Sequence, residues 1–173
     1  IGGSLVRPEA TGFGTVYFAE EMLKTQLKSF EGLTVSVSGS GNVAQFAIDK
    51  AMALGAKVVS ASDSSGTVYD PAGFDGDKLL KLMDVKNKHY GRVADYAKQV
   101  PGVQYFEGKT PWFIKADVAL PCATQNELNL ADAQELMKNG VLCVAEGANM
   151  PCTIEAAKAF EKAGVLYAPG KAS

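Results

Sequence analysis

An α/β fold, with a mostly parallel, doubly wound sheet and helices on both faces, is predicted by three observations. Segments of helical hydrophobic period alternate with short β-branched runs along the chain. The first such run leads into Ser38-Gly39-Ser40-Gly41-Asn42-Val43-Ala44, a glycine-rich turn between a strand and a helix. The 173 residues are 47% hydrophobic and 21% charged, enough apolar material for a buried core and too much for a disordered chain. No linker or fixed-period repeat divides them, so one domain over residues 1–173 is expected.

Each element follows from local pattern. Pro8 to Leu27 is expected to be a helix, with Pro8 at its first position, Glu9 in its first turn, and Val16, Leu23 and Leu27 near one stripe. Leu33 to Ser38 is a β-branched strand. Asn42 to Leu54 is a helix that Gly55 ends. Ala56 to Ala61 is a second strand, and Ser62 to Gly76, rich in Ser, Asp and Gly, is a loop. Asp77 to Lys88 and Arg92 to Val100 are helices, the latter stopped by Pro101. Val103 to Phe106 and Lys115 to Leu120 are strands. Leu130 to Lys138 is a helix, Val141 to Ala145 a strand, Thr153 to Ala163 a helix, and Val165 to Ala168 the last strand.

Bulk properties exclude several classes. A net charge of −2 with no Lys/Arg block disfavours nucleic acid as a partner. Cys122, Cys143 and Cys152 are three in number, and with His89 as the one histidine they match no zinc spacing. Reduced thiols in a cytoplasmic setting are the simplest reading. No run reaches membrane-spanning length, and no signal peptide is visible. The chain starts at Ile1 without Met and stops just after a strand-like segment, so it is expected to be a piece of a larger protein.

The Ser38–Ala44 turn fits G-x-G-x-x-G/A, the dinucleotide-binding pattern of Rossmann-type folds, with Ala44 in the third place. Gly39 permits the tight turn. Gly41, lacking a Cβ, lets a pyrophosphate approach the backbone. Ala44 keeps helix and strand close. The helix N-terminus offers free N–H groups and partial positive charge to phosphates. Glycines also mark ordinary turns, so the pattern alone is weak. The strand Thr34–Val37 before it, the striped helix after it, and a second strand ending near Ala61, about 20 residues on, raise its weight.

Five further stretches narrow the reading. They are Gly2 to Gly12 with its Arg7-Pro8-Glu9-Ala10-Thr11-Gly12 core, Ala61 to Gly66, Pro121-Cys122-Ala123-Thr124-Gln125-Asn126-Glu127, Ala145-Glu146-Gly147-Ala148-Asn149-Met150-Pro151, and Ala168 to Lys171. Together with Ser38 to Ala44, and in this order, they resemble the cofactor domain of hexameric NADP-dependent glutamate dehydrogenases over essentially the whole chain. The resemblance implies that glutamate, NADP⁺ and water give 2-oxoglutarate, ammonium and NADPH. It implies a homohexameric parent, with the isolated piece a monomer or weak dimer. In the family, a lysine and an aspartate of another domain carry the proton chemistry, after a glycine-rich lysine motif that this chain lacks. It is therefore expected to bind cofactor without turnover and to contain no catalytic residue.

The resemblance also implies roles. Thr11 and Asn149 lie near the nicotinamide, Asn42 and Val43 present backbone to the pyrophosphate, and Ala123, Thr124 and Gln125 line the nicotinamide-ribose path. Arg7 supports the hinge side of the cleft. For each of these the plainer alternative is an ordinary capping or loop residue.

The choice between NAD and NADP pulls two ways. An acid after the second strand ordinarily pairs with the ribose 2′-hydroxyl and favours NAD, and Asp63 stands there. Yet Ser62-Asp63-Ser64-Ser65-Gly66 resembles the NADP-type members, whereas NAD-type members tend to carry another acid near Ser65 and a bulky residue at Ser40. Hydroxyls can donate to a phosphate that a carboxylate would repel. Lys86 and Arg92 are the cations expected to help. His89 departs from the permanent cation of related NADP-type sequences, being only partly charged near neutral pH. A solvated helix face is the alternative for Lys86, Lys88 and Arg92. NADP is the expected cofactor.

Trp112, Tyr90, Tyr96 and Tyr105 are expected to be packing residues, and Cys122 a buried inert thiol. Two other functions stay open: a related dehydrogenase acting on leucine, valine or phenylalanine, or the NAD-dependent form, and a stand-alone non-catalytic nucleotide-binding module.

Overall fold

The structure, a computed structural model, describes residues 8–170. Its centre is a five-stranded parallel sheet with strand order β2-β1-β6-β7-β8. The strands are β1 (Thr34–Val37), β2 (Lys57–Val58), β6 (Val118–Leu120), β7 (Cys143–Ala145) and β8 (Leu166–Ala168). From β1 the chain steps outward to β2, then returns to the other side of β1 at β6 and continues through β7 and β8. The winding direction therefore reverses between β1 and β6, where open α/β sheets leave a crevice at their carboxyl ends.

Period-two alternation along these strands supplies two apolar layers. Val35, Val37, Val118, Leu120, Cys143 and Ala145 point to one side. They meet α1 (Pro8–Lys24) through Val16, Ala19 and Leu23, and α2 (Asn42–Ala53) through Ala44, Ala47 and Ile48. Ala119 and Val144 point the other way. They meet Ala133 and Leu136 of α5 (Leu130–Lys138), and Ala156 and Phe160 of α6 (Ile154–Ala163), with Trp112 filling the same layer. Burying each Leu, Ile or Phe of these layers contributes roughly 1.5–3 kcal/mol. The α/β fold class and helices on both faces are as the sequence predicts.

A second sheet is the main departure. The run expected as one strand over Ala56–Ala61 divides at Val59, and β3 (Ser60–Asp63) leaves the parallel sheet. It pairs antiparallel with β4 (Gly66–Tyr69), which pairs with β5 (Gln104–Glu107). The segment expected as loop from Ser62 to Gly76 thus contains a hairpin, and the Val103–Phe106 run joins this sheet instead of the parallel one. Serine hydroxyls make the divergence possible. Ser60 Oγ accepts from the Val37 N–H and donates to the Val37 carbonyl, both at 2.9 Å. Ser62 Oγ accepts from the Gly39 N–H at 2.9 Å. Side chains thereby satisfy edge groups of β1 that a straight β2 would have paired.

Three smaller differences have local causes. The first helix stops at Lys24. Leu27 adopts φ +59 and is 97% exposed, with the Lys28 N–H bonded to the Leu23 carbonyl, so it caps the helix end and does not join the apolar stripe. The third helix, α3 (Gly76–Met83), is followed by a π turn over Asp84–Lys88 where continuous α-helix is expected. Tyr90, expected to pack, has φ +51 and is 87% exposed. Tyr96 in α4 (Val93–Gln99) is buried as expected, stacked on Phe74 with ring centroids 5.8 Å apart. Among the described residues no helix is long and apolar enough to cross a membrane.

Candidate functional site

A cleft of about 750 Å³ opens at the carboxyl ends of β1 and β6, at the reversal of winding. One wall is the glycine turn, residues 39–43. The second is the β3–β4 hairpin with Ser62, Asp63 and Ser64, joined by Lys86. The third is the segment after β6, residues 122–127, and the fourth is Gly108, Lys109 and Thr110 beyond β5.

The glycine turn is built as its sequence requires. Gly39 has φ +88, and a Cβ there would sit 2.8 Å from the Cys122 carbonyl oxygen, so only glycine allows β1 and β6 to end this close together. Gly41 has φ −83 and extended ψ, and a Cβ there would meet nothing within 4 Å. Its openness faces the cleft. The α2 helix that starts here has no side-chain cap and no acid in its first turn. By contrast α3, α5 and α6 are capped by Asp75, Asn129 and Thr153. The first amides of α2 are left for an anion from outside. Ala44 is fully buried, as the third position demands.

Asp63 is a structural hub. Its Oδ1 accepts from the Ser65 N–H at 2.8 Å and the Ser65 hydroxyl at 2.5 Å. Its Oδ2 accepts from the Val93 N–H at 2.8 Å and Lys86 Nζ at 3.1 Å. Burial opposes its ionisation, yet these bonds more than compensate and hold the carboxyl below the usual range. The π turn brings Lys86 to this place, while the neighbouring Asn87 exchanges hydrogen bonds with the buried Gln45 of α2. Arg92 Nη1 donates to the Ser64 hydroxyl at 2.9 Å, and Ser64 is exposed on the cleft wall.

Of the residues singled out from sequence, Gly39, Ser40, Gly41, Asn42, Val43, Asp63, Ser64, Lys86, Ala123, Thr124 and Gln125 line this cleft. Others stand back from it. Ser38 is buried behind the turn, where its Oγ accepts from the Cys122 N–H at 2.9 Å and ties β1 to β6. Ser65 is spent on Asp63. Arg92 reaches the rim only through Ser64. Thr11 is inside α1, its carbonyl accepting from the Thr15 hydroxyl. Asn149 borders a separate cavity of about 220 Å³ with Glu146 and Tyr167. Its loop follows β7, one strand beyond β6, and strands are spaced about 4.8 Å apart. Arg7 lies outside the described residues. His89 approaches Asp84, at 3.3 Å, and is no part of the cleft wall.

Lys109 and Glu127 also line the cleft, and neither is among the site residues expected from sequence. Lys109 arrives because β5 pairs with β4, and its Nζ lies 5.4 Å from the Phe113 ring centre. Glu127 was legible only as the last residue of the stretch from Pro121. Cys122 is buried, and burial pushes its thiol well above the ordinary range, which fits the inert thiol expected. The same cause pushes Cys143 up to about 12. No group of three or more His, Cys, Asp or Glu among the described residues is placed to hold a metal.

Comparison with known proteins bears on this cleft. The family model for glutamate/leucine/phenylalanine/valine dehydrogenases matches residues 2–173. The chain is 66% identical over 172 residues to the NADP-specific glutamate dehydrogenase of Haemophilus influenzae, covering 99% of this chain and 38% of that protein. It is 52% identical over 171 residues to the NAD-specific glutamate dehydrogenase of Bacteroides fragilis, again covering 99% and 38%. The crystal structure of Plasmodium falciparum glutamate dehydrogenase matches with a TM-score of 0.92 at 43% identity, over 95% of this chain and 35% of that one. The chain thus spans about 38% of the length of these curated relatives.

Proposed function

The chain belongs to the glutamate/leucine/phenylalanine/valine dehydrogenase family, and from that premise we propose that residues 1–173 are the NADP(H)-binding domain of a glutamate dehydrogenase. The observation that carries the proposal is the uncapped start of α2 at Gly41, open to a cleft of about 750 Å³ at the β1/β6 reversal. A diphosphate fits there: the space beside Gly41 is what a Cβ would fill, and the amides of Asn42 and Val43 begin the helix. When bound, the cofactor would supply a hydride acceptor for the α-carbon of glutamate. The protein's part is to orient it. Ala123, Thr124 and Gln125 wall the nicotinamide-ribose side, with Thr11 and Asn149 contributing beyond the cleft.

NADP is favoured over NAD by the occupancy of Asp63. Both of its oxygens already accept two hydrogen bonds, so it is not free to pair with a ribose 2′-hydroxyl, and the rule that reads an acid here as NAD loses its physical basis. Ser64 and Arg92 at the rim, with Lys86 and Lys109 nearby, offer a hydroxyl and cations to a 2′-phosphate. The parent is proposed to be a cytoplasmic homohexamer, and the chain by itself a monomer or weak dimer. Three buried, unpaired cysteines support a reducing compartment.

The chain carries no glycine-rich lysine motif, so it should bind NADPH and show no glutamate-dependent reduction of NADP⁺. Fluorescence titration with NADPH and a turnover assay on the same sample check this. Turnover by the pure chain, or no NADPH binding, would overturn it.

A further inference from the structure

The end of β6 presents a second pair of backbone amides to the same cleft, those of Ala123 and Thr124, and this pair is already taken. Glu127 Oε2 accepts from the Ala123 N–H at 2.9 Å and from the Thr124 N–H at 3.1 Å. Just behind this pair, Ser38 Oγ accepts from the Cys122 N–H. One side chain, reaching back from three and four residues on, thus holds both amides that follow β6, beside the reversal of winding. The far side of the segment is held separately: the Asn126 N–H donates to the Met150 carbonyl and the Leu128 N–H to the Pro151 carbonyl, each at 3.0 Å. Glu127 is the cleft-side half of this clamp.

Without that carboxylate, two convergent amides would face the cleft a short distance from those of α2, and an anion could choose between them. We propose that Glu127 is a positioning residue of the cleft: its carboxylate acts as an internal anion that fills the amide pair after β6, fixes the 123–126 wall, and leaves the start of α2 to the ligand's diphosphate. The assignment rests on the cofactor reading above. It explains why an acid sits in a cleft for an anionic ligand. Two backbone amides already hold this carboxylate, which lessens the repulsion it exerts on the ligand. Burial, the largest influence, leaves the Glu127 carboxyl above its ordinary value; Asp132 adds to the rise and the hydrogen bonds offset it only in part.

The test is rescue by a small carboxylate. Glu127→Ala should weaken NADPH binding about tenfold, since a charged acceptor serving two backbone donors is lost. Sodium formate should restore most of that affinity, and sodium chloride at equal ionic strength should not. A purely structural role would give a loss that formate cannot repair. Glu127→Gln, which keeps the shape and one acceptor oxygen, should fold in either case and lose about threefold. Formate titrated into ¹⁵N-labelled Glu127→Ala without cofactor should also move the Ala123 and Thr124 amide signals. This readout does not depend on NADPH. Failure of the formate responses, or wild-type affinity in Glu127→Ala, overturns the role of Glu127. Failure of wild type to bind NADPH overturns the cofactor reading instead.

Discussion

Gly41→Val should lower NADPH affinity at least about tenfold, equivalent to roughly 1.4 kcal/mol, while the chain stays folded. The backbone at Gly41 is extended, with φ −83, which valine adopts without strain, and nothing lies within 4 Å of where its Cβ would go. The new side chain therefore meets no protein atom and projects into the space proposed for the diphosphate. Since Gly41 caps α2 with no side chain, the helix loses no hydrogen bond, and stability should change by less than about 1 kcal/mol. Circular dichroism melting and NADPH titration of the same sample separate the two effects. Unchanged affinity in a folded variant would remove this turn from the site.

The second large effect concerns coenzyme choice. Ser64→Asp should cost NADPH binding about 5- to 150-fold and leave NADH nearly unaffected. At an effective dielectric of about 20 and about 4 Å, a unit of like charge costs about 4 kcal/mol before screening. Solvent and rearrangement reduce this to about 1–3 kcal/mol. The new carboxylate would also draw Arg92 Nη1, which now donates to the Ser64 hydroxyl, away from a phosphate. Ser65 is the wrong place for this test, because its amide and hydroxyl both serve Asp63, and a second acid there would break the hairpin turn. Equal losses for NADPH and NADH would show that Ser64 does not read the 2′ position.

Much of this cleft was legible because its parts obey local rules. Gly39 needs a positive φ, α2 shows a helical stripe, and both features are written in neighbouring residues. What was hidden depends on distant partners. Lys57-Val58 and Ser60-Ala61 read as one strand, since only the bonds from Ser60 and Ser62 to β1 divide them. Thr67-Val68-Tyr69 did carry a strand composition, but a four-residue strand between Ser64-Ser65 and Asp70-Pro71 is easily lost among turn residues. Lys109 stays hidden with that hairpin, because it reaches the cleft only through β4–β5 pairing. Asp63 shows the same limit: its position suggested a ribose contact, and only the fold reveals that Ser65, Lys86 and Val93 already hold it. Leu27 had the right period for the α1 stripe, and no Gly or Pro announced that the helix ends before it.

Backbone amide mapping of the wild-type chain, titrated in parallel with NADPH and NADH, tests whether the start of α2 holds the diphosphate and Ser64 reads the 2′ position. Signals of Gly41, Asn42 and Val43 should move with both ligands, those of Ser64 and Lys109 should move further with NADPH, and NADPH should bind the more tightly. Shifts confined to the α5–α6 face, or tighter binding of NADH with Ser64 unmoved, would contradict this assignment of the cleft.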